Sequence, residues 1–373
     1  MKKLFTLLIV IAAITTKGQQ AIVIDHNCID LSKIPNEWID SSKTKLFIGY
    51  GHTSHGSQLI SGMNAIESFF TDGTYNWSHS GGTDELHLFE GDGYGEGYLD
   101  HDCGYSGWDD ETREYLDEFT ECNVIIWSWC GQVNSVELSS HYLAPMEQLE
   151  TDYPDVTFVY MTGHLEGEGI DGSLYLANQQ IRDYCNANNK ILFDFADIEK
   201  YDPDAETNYQ EYYANDECNY NPLAGGTANW ATDWMANNPE HELTQISQLC
   251  SSCAHSVSLN CVKKGVASWY LWARLSGWDG IITSITPYVF KEQQTDEIVV
   301  FPNPIKDNFT IVLPKEMENI VVIINDIHGK TLYNNKYEGI HKNIIIPCFN
   351  ISKGINIIKV VGENNVYSLK LVK

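Results

Sequence analysis

Apolar runs without polar alternation, each followed by a stretch with helical spacing, constrain this chain more than any other feature. The runs are Leu46-Phe47-Ile48, Val124-Ile125-Ile126, residues 156–161 and residues 190–195. Residues 57–70 then place Leu59, Ile60, Met63, Ile66, Phe69 and Phe70 at helical intervals. Residues 141–151 and 173–189 read as further helices. Residues 260–277 carry Val262, Val266, Trp269, Tyr270, Ala273 and Leu275 along one face. A strand that is apolar throughout is buried on both faces. Such strands alternating with helices predict a three-layer α/β domain with a mostly parallel sheet. Sites in such sheets lie at the carboxyl ends of the strands. Ser54, Gly131 and Thr162-Gly163-His164 each follow a strand, so they are expected at one edge.

The two ends differ from this domain. Met1-Lys2-Lys3, an apolar run over 4–15 and the polar Thr16-Lys17-Gly18-Gln19-Gln20 have the layout of a secretory signal peptide, placed at residues 1–19. That run is too short to anchor the chain across a bilayer, and no later run reads as a membrane span. Residues 20–292 form the main domain and 293–298 a polar linker. From 299 to 373, short Ile- and Val-rich segments separated by Asn, Gly, Lys and Pro predict a small β-sandwich. The opening Phe301-Pro302-Asn303-Pro304, the central Asp326-Ile327-His328-Gly329-Lys330 and the closing Lys353-Gly354-Ile355-Asn356 with Lys370-Leu371-Val372-Lys373 resemble the C-terminal sorting domain of the type IX secretion system of Bacteroidetes. The resemblance implies recognition by that machinery, export to the cell surface or medium, and removal of the tail. A sugar-binding β module is the alternative.

Charge supports the division. Residues 19–300 hold 45 acidic and 11 basic residues, whereas 301–373 hold 6 and 9. A surface this acidic repels nucleic acid and polyanionic glycans, so neutral or cationic substrates are expected.

Two segments about 200 residues apart carry the chemistry. Gly51-His52-Thr53-Ser54-His55-Gly56 puts a serine on a strand-to-helix turn, and His255-Ser256-Val257-Ser258-Leu259-Asn260 puts a histidine before the last helix. A serine hydroxyl needs a base to take its proton, and histidine is the usual one. Together with Gly131-Gln132-Val133-Asn134, these segments resemble the blocks of the SGNH (GDSL-like) hydrolase superfamily over residues 45–280, in particular a subgroup with a His-x-Ser-x-Gly start. The resemblance implies a flavodoxin-like sandwich and an esterase with Ser54 as nucleophile, His255 as base, and Gly131 and Asn134 in the oxyanion hole. No cofactor or catalytic metal is implied.

There are two departures from the family pattern. Ser252 stands where the family has an aspartate before the histidine, so the acid must come from Asp194, Asp197, Asp216 or Asp233. Asp233 is the first choice because it lies near His255 in sequence. Thr53 replaces the aspartate of the serine block, and His52 and His55 crowd the turn. His52, His55, His164 and Gln132 are assigned to substrate binding. Ser57 is expected to cap the helix that it begins.

Cys250, Cys253 and Cys261 flank His255. In an exported chain they are expected in disulfides, with a zinc site at Cys250 and Cys253 as the alternative. Nine cysteines precede the tail, an odd number, and Cys130 is expected to be a buried free thiol. Residues 84–111 read as an acidic, Gly-rich loop that calcium could occupy. Trp77, Trp108, Trp230 and Trp234 are placed in loops, where exposed rings suit sugar faces. The sequence thus predicts a secreted esterase or deacetylase acting on esterified carbohydrate or a small ester. A glycan-binding protein on the same scaffold and a polysaccharide lyase are the alternatives.

Overall fold

A computed structural model describes residues 21–91, 97–280 and 298–373, apart from 302, 304, 306, 307, 327–329, 348–350 and 363–365. The proposed signal peptide lies outside the described residues, as do residues 92–96 of the acidic loop and all of the linker but 298. The chain divides into two compact units, 1–286 and 287–373.

The first unit is an α/β domain. Its strands are β1 (Ile22–Ile24), β2 (Phe47–Gly51), β3 (Trp77–Ser78), β4 (Leu86–Glu90), β5 (Val124–Trp127), β6 (Thr157–Met161) and β7 (Ile191–Phe193). They form one sheet in the order β1-β7-β6-β5-β2-β4-β3, parallel at every pairing. All residues of β2 and β5 are buried, so helices must cover both faces. These helices are α1 (Asn36–Lys45), α2 (Ser57–Phe69), α3 (Trp108–Glu118), α4 (Ala144–Asp152), α5 (Ser173–Ala187), α6 (Phe195–Glu199), α7 (Trp230–Asn237), α8 (Glu242–Ser247) and α9 (Ser258–Leu275).

The region expected as one long loop contains β4 and the start of α3. Leu86 and Leu88 are buried while His87 between them is half-buried, a short alternating strand that the surrounding Gly and acid residues obscure. Trp108 and Trp230 are 1% exposed and Trp234 is 5% exposed. These rings are core, not sugar platforms, because they begin or lie within helices that pack on the domain.

The helices following the two chemical segments pack directly on each other. Gly62 of α2 faces Cys261 and Gly265 of α9, and a Cβ on Gly62 would lie 2.0 Å from the Cys261 carbonyl oxygen. This contact ties the Ser54 turn to the His255 loop, although 201 residues separate them.

The second unit is antiparallel. β8 (Val299–Phe301), β9 (Asn308–Asp326), β10 (Thr331–Pro347), β11 (Ile355–Val361) and β12 (Val366–Val372) form one five-stranded sheet curled around its own core of Phe309, Ile311, Ile320, Val322, Ile358 and Val360. Asn303 donates to the Lys370 carbonyl at 2.9 Å and accepts from the Val372 amide at 2.8 Å. The opening and terminal motifs of the tail are therefore one structural clasp.

Candidate active site

The first two carboxyl ends to meet here are those of β2 and β5, neighbours at which the strand order turns back. Beyond β2 the chain makes a tight turn before α2. The Tyr50 hydroxyl donates to the Gly56 carbonyl at 2.8 Å. Ser57 does not cap the helix; its hydroxyl donates to the Ser54 carbonyl at 2.7 Å and braces the turn. The His255 loop is fixed from several sides. Gln58 donates to the Ala254 carbonyl at 2.5 Å, and the Ser256 hydroxyl donates to the Asp216 carbonyl at 2.5 Å. A disulfide joins Cys253 to Cys261 around it. Closing so short a loop stabilises the fold by about 2 to 3 kcal/mol. His255 sits at φ 58°, a left-handed conformation costing about 1 to 2 kcal/mol for a residue with a Cβ.

These constraints bring His255 Nε2 to 3.0 Å from Ser54 Oγ. With that nitrogen unprotonated, the serine hydroxyl donates to it. Ser54 is half-buried, and His255 and Gly131 are exposed, so the site is open to solvent.

A second group shares the site. Cys130, three residues beyond the end of β5, is a free thiol as expected, but half-buried rather than buried. Its Sγ lies 3.1 Å from His55 Nδ1 and 3.3 Å from Ser54 Oγ. His55 Nε2 in turn contacts Asp216 Oδ2 at 3.0 Å. Burial alone would raise the Cys130 pKa, but hydrogen bonds with His55, Ser54 and Thr53 outweigh it and lower the value to about 7. Burial opposes the charge on His55, yet Asp216 and Cys130 raise its pKa to about 9. Cys130, His55 and Asp216 therefore favour a thiolate–imidazolium pair at neutral pH. The His55 ring stacks between His164, at 3.8 Å, and His255, at 4.3 Å. Burial and then the His55 charge hold the His164 pKa below its usual value.

The other expected residues fall as follows. Asp233 lies exposed in the first turn of α7; the carboxylate that reaches the histidines is Asp216, and it serves His55. Gly131 adopts φ 78°, which suits glycine, and among the described residues its N–H has no acceptor. The Asn134 side-chain amide donates to Ser173 Oγ at 3.0 Å. Gln132 Oε1 accepts from the Cys130 amide at 3.0 Å, so it shapes the turn. His52 is held by Glu90, at 2.8 Å, and by the Thr53 carbonyl. His164 Nδ1 is held by the Leu165 carbonyl at 2.9 Å, and its buried Nε2 has no hydrogen-bond partner among the described residues.

Below the site lies a buried polar hub. Glu199 accepts from the Leu165 amide at 2.7 Å, from Asn260 at 3.0 Å and from Lys264 at 2.7 Å. Lys264 also reaches Gln58, and Asn260 reaches Ser256 at 2.8 Å. The hub thus joins the supports of His164, His255 and the Ser54 helix.

Ring nitrogens of His55 and His255 and an oxygen of Asp216 lie within 4.8 Å of one another. They are engaged by Cys130, by Ser54 and by each other, and we assign them no ion. The zinc alternative loses Cys253 to its disulfide. A separate cavity of about 500 Å³, lined by His26, Asp30, Lys33, His241 and Glu242 among others, does not include this site.

Residues 299–373 match the secretion system C-terminal sorting domain family. The tail is a sorting domain of the type IX secretion system. The sorting domain directs this chain out of the cell, to the surface or the medium, and implies contact with the type IX machinery. No helix among the described residues is long and apolar enough to cross a membrane. No curated protein matches the chain. Among solved structures it is similar to TubZ of the Clostridium botulinum phage c-st, with 13% identity, a TM-score of 0.23, and 44% of this chain and 55% of that one covered. It is also similar to the endo-β-1,4-mannanase of Thermotoga petrophila, with 10% identity, a TM-score of 0.22, and 87% and 64% covered. The chain spans less than two thirds of either, and at these TM-scores neither likeness carries an argument about the α/β domain.

Proposed function

We propose that the α/β domain preceding the sorting domain is a hydrolase that cleaves ester bonds by acyl transfer, with Ser54 as nucleophile and His255 as general base. The 3.0 Å contact between Ser54 Oγ and His255 Nε2 carries this reading. His255 takes the hydroxyl proton as Ser54 attacks the acyl carbon, then returns it to the departing alkoxide. Water, activated by the same imidazole, releases the acid from the acyl-serine. The N–H groups of Ser54 and Gly131 are the candidate oxyanion donors, and Asn134 joins them when it leaves Ser173. One such donor contributes about 3 to 4 kcal/mol to the transition state. The resemblance to SGNH hydrolases over residues 45–280 supports the same assignment.

The substrate in this reading is an acetyl or other small acyl ester of a neutral carbohydrate. Export and the acidic surface support it; stacking tryptophans do not. With Trp108, Trp230 and Trp234 buried and Trp77 half-buried against the core, no observation favours a glycan-binding role. The test is acetate release from acetylated polysaccharides by wild-type and Ser54→Ala proteins. Equal release by both would remove Ser54 from the mechanism.

One observation favours a second reading. Among the described residues no carboxylate backs His255, whereas Asp216 backs His55 beside Cys130. Loss of the acid from a complete triad costs about 10⁴-fold in rate. In this reading Cys130 attacks and His55 relays the proton. Mass spectrometry of the acyl-enzyme formed with p-nitrophenyl acetate, on the Ser54 or the Cys130 peptide, separates the two.

A further inference from the structure

Cys130 combines four properties that no other described cysteine shares. It has an imidazole at bonding distance, a carboxylate behind that imidazole, a hydroxyl on its other side, and partial exposure. Cys28, Cys103, Cys122, Cys185 and Cys218 are buried. Cys250, expected in a disulfide, is free and half-buried like Cys130, but among the described residues its sulfur hydrogen-bonds only to backbone carbonyls, of Ser61 and Ser252, and burial pushes its pKa up. The sorting domain takes this thiol out of the compartment that keeps thiols reduced. A thiolate-prone, accessible cysteine is the kind that hydroperoxides oxidise.

Position then decides what oxidation does. Sγ lies 3.3 Å from Ser54 Oγ, so an oxygen added on that side occupies the approach to the serine. Ser54 has one proton and two acceptors, His255 Nε2 and Cys130 Sγ. A change at sulfur therefore also changes the hydrogen bond on which the serine–histidine pair depends.

We propose that Cys130 is a reversible oxidation site for hydroperoxides, activated by His55 and Asp216, and that its oxidation closes the Ser54 site. The thiolate sulfur attacks the terminal peroxide oxygen. The S–O bond forms as the O–O bond breaks, and the sulfur loses two electrons to the peroxide. The leaving hydroxide, or the alkoxide of an organic hydroperoxide, takes the proton from the His55 imidazolium and departs as water or alcohol, leaving Cys130 as a sulfenic acid and His55 neutral. An external thiol restores it: the first thiol displaces water to form a mixed disulfide, and a second releases the Cys130 thiol and an external disulfide. The closing of the Ser54 site rests on the hydrolase reading above; the oxidation itself does not.

The test treats the full chain with hydrogen peroxide and traps sulfenic acid with dimedone, followed by peptide mass spectrometry. In parallel, a fluorophosphonate probe reports Ser54 reactivity before peroxide, after peroxide and after added thiol. Untreated protein given the same thiol controls for reduction of the Cys253–Cys261 disulfide. We expect dimedone on the Cys130 peptide and not on the Cys250 peptide, about tenfold slower trapping in Asp216→Asn, and loss of Ser54 labelling that thiol restores. Trapping at Cys130 no faster than at Cys250 overturns the proposal. Trapping at Cys130 with Ser54 labelling unchanged overturns the closure. A wild-type protein whose Ser54 never labels overturns the serine mechanism instead, and dimedone still decides the oxidation site.

Discussion

The Ser54 hydroxyl and the Cys130 thiol stand 3.3 Å apart, yet each has its own imidazole. Ser54 is served by His255 and Cys130 by His55. The hydroxyl can donate to only one acceptor at a time. Donation to His255 prepares the serine for attack, and donation to Cys130 stabilises a thiolate. Two nucleophiles are thus coupled through one proton, and the following outcomes separate their roles.

Ser54→Ala and His255→Ala are each expected to lower the hydrolysis of acetyl esters by at least about 10³-fold, as loss of a nucleophile or its base does. Circular dichroism should remain native, because Ser54 is half-buried and His255 is exposed. Retained activity in His255→Ala would transfer the proton-handling role to His55.

Alkylation of Cys130 by iodoacetamide should follow a titration curve centred near pH 7. The thiolate is the reactive form, so the rate falls as pH drops through that value. The groups facing the sulfur are His55, Ser54 and Thr53, with Asp216, His164 and His255 around the His55 ring. Asp216→Asn weakens the imidazolium and should move the midpoint up toward the ordinary thiol value of about 8.5. An unchanged midpoint in that variant would detach Asp216 from the thiol.

The Lys264 and Glu199 side chains are both fully buried and paired at 2.7 Å. Lys264→Met leaves an unpaired buried carboxylate and should cost about 3 to 5 kcal/mol in denaturant unfolding. Adding Glu199→Gln to that variant should recover part of the loss, since the carboxylate charge that Lys264 balanced is then removed as well. If the double variant is no more stable than Lys264→Met, the cost lies in packing rather than charge.

Gly62→Val places a side chain against the α9 backbone. It should separate α2 from α9 and with them Ser54 from His255. Since a displacement near 1 Å costs about 100-fold in rate, activity should fall by that order even where the protein remains folded by far-UV circular dichroism. Asn64→Val, which puts the same side chain at an exposed position of the same helix, serves as the comparison. A loss of equal size there would point to general destabilisation.

Reduction of Cys253–Cys261 should lower activity before the α/β core unfolds, because the bond closes the His255 loop while the sheet has its own apolar packing. Activity and tryptophan fluorescence followed over increasing dithiothreitol check this. Simultaneous loss of both signals would assign the disulfide to the fold instead.

The order of elements was legible because burial leaves a local record. The all-apolar Val124-Ile125-Ile126 announced a strand covered on both faces, and the Leu59, Ile60, Met63 and Ile66 spacing announced α2. The Phe301-Pro302-Asn303-Pro304 opening and the Lys370-Leu371-Val372-Lys373 close marked the sorting domain because both are contiguous in sequence. Short strands such as Leu86–Glu90 were not legible, since their alternation is brief and lies beside Gly- and acid-rich segments.

By itself, the sequence determined which residue types stand at strand ends: Ser54, Cys130, His164 and the loop histidine His255. Only the tertiary structure decided which of them act together. Proximity in sequence favoured Asp233, yet the strand order and the loop carrying Asp216 placed that carboxylate on His55, 161 residues away. Side-chain pairing across such separations depends on strand order, helix packing at Gly62 and Gly265, and the rotation of each ring. None of these leaves a periodic trace in the chain.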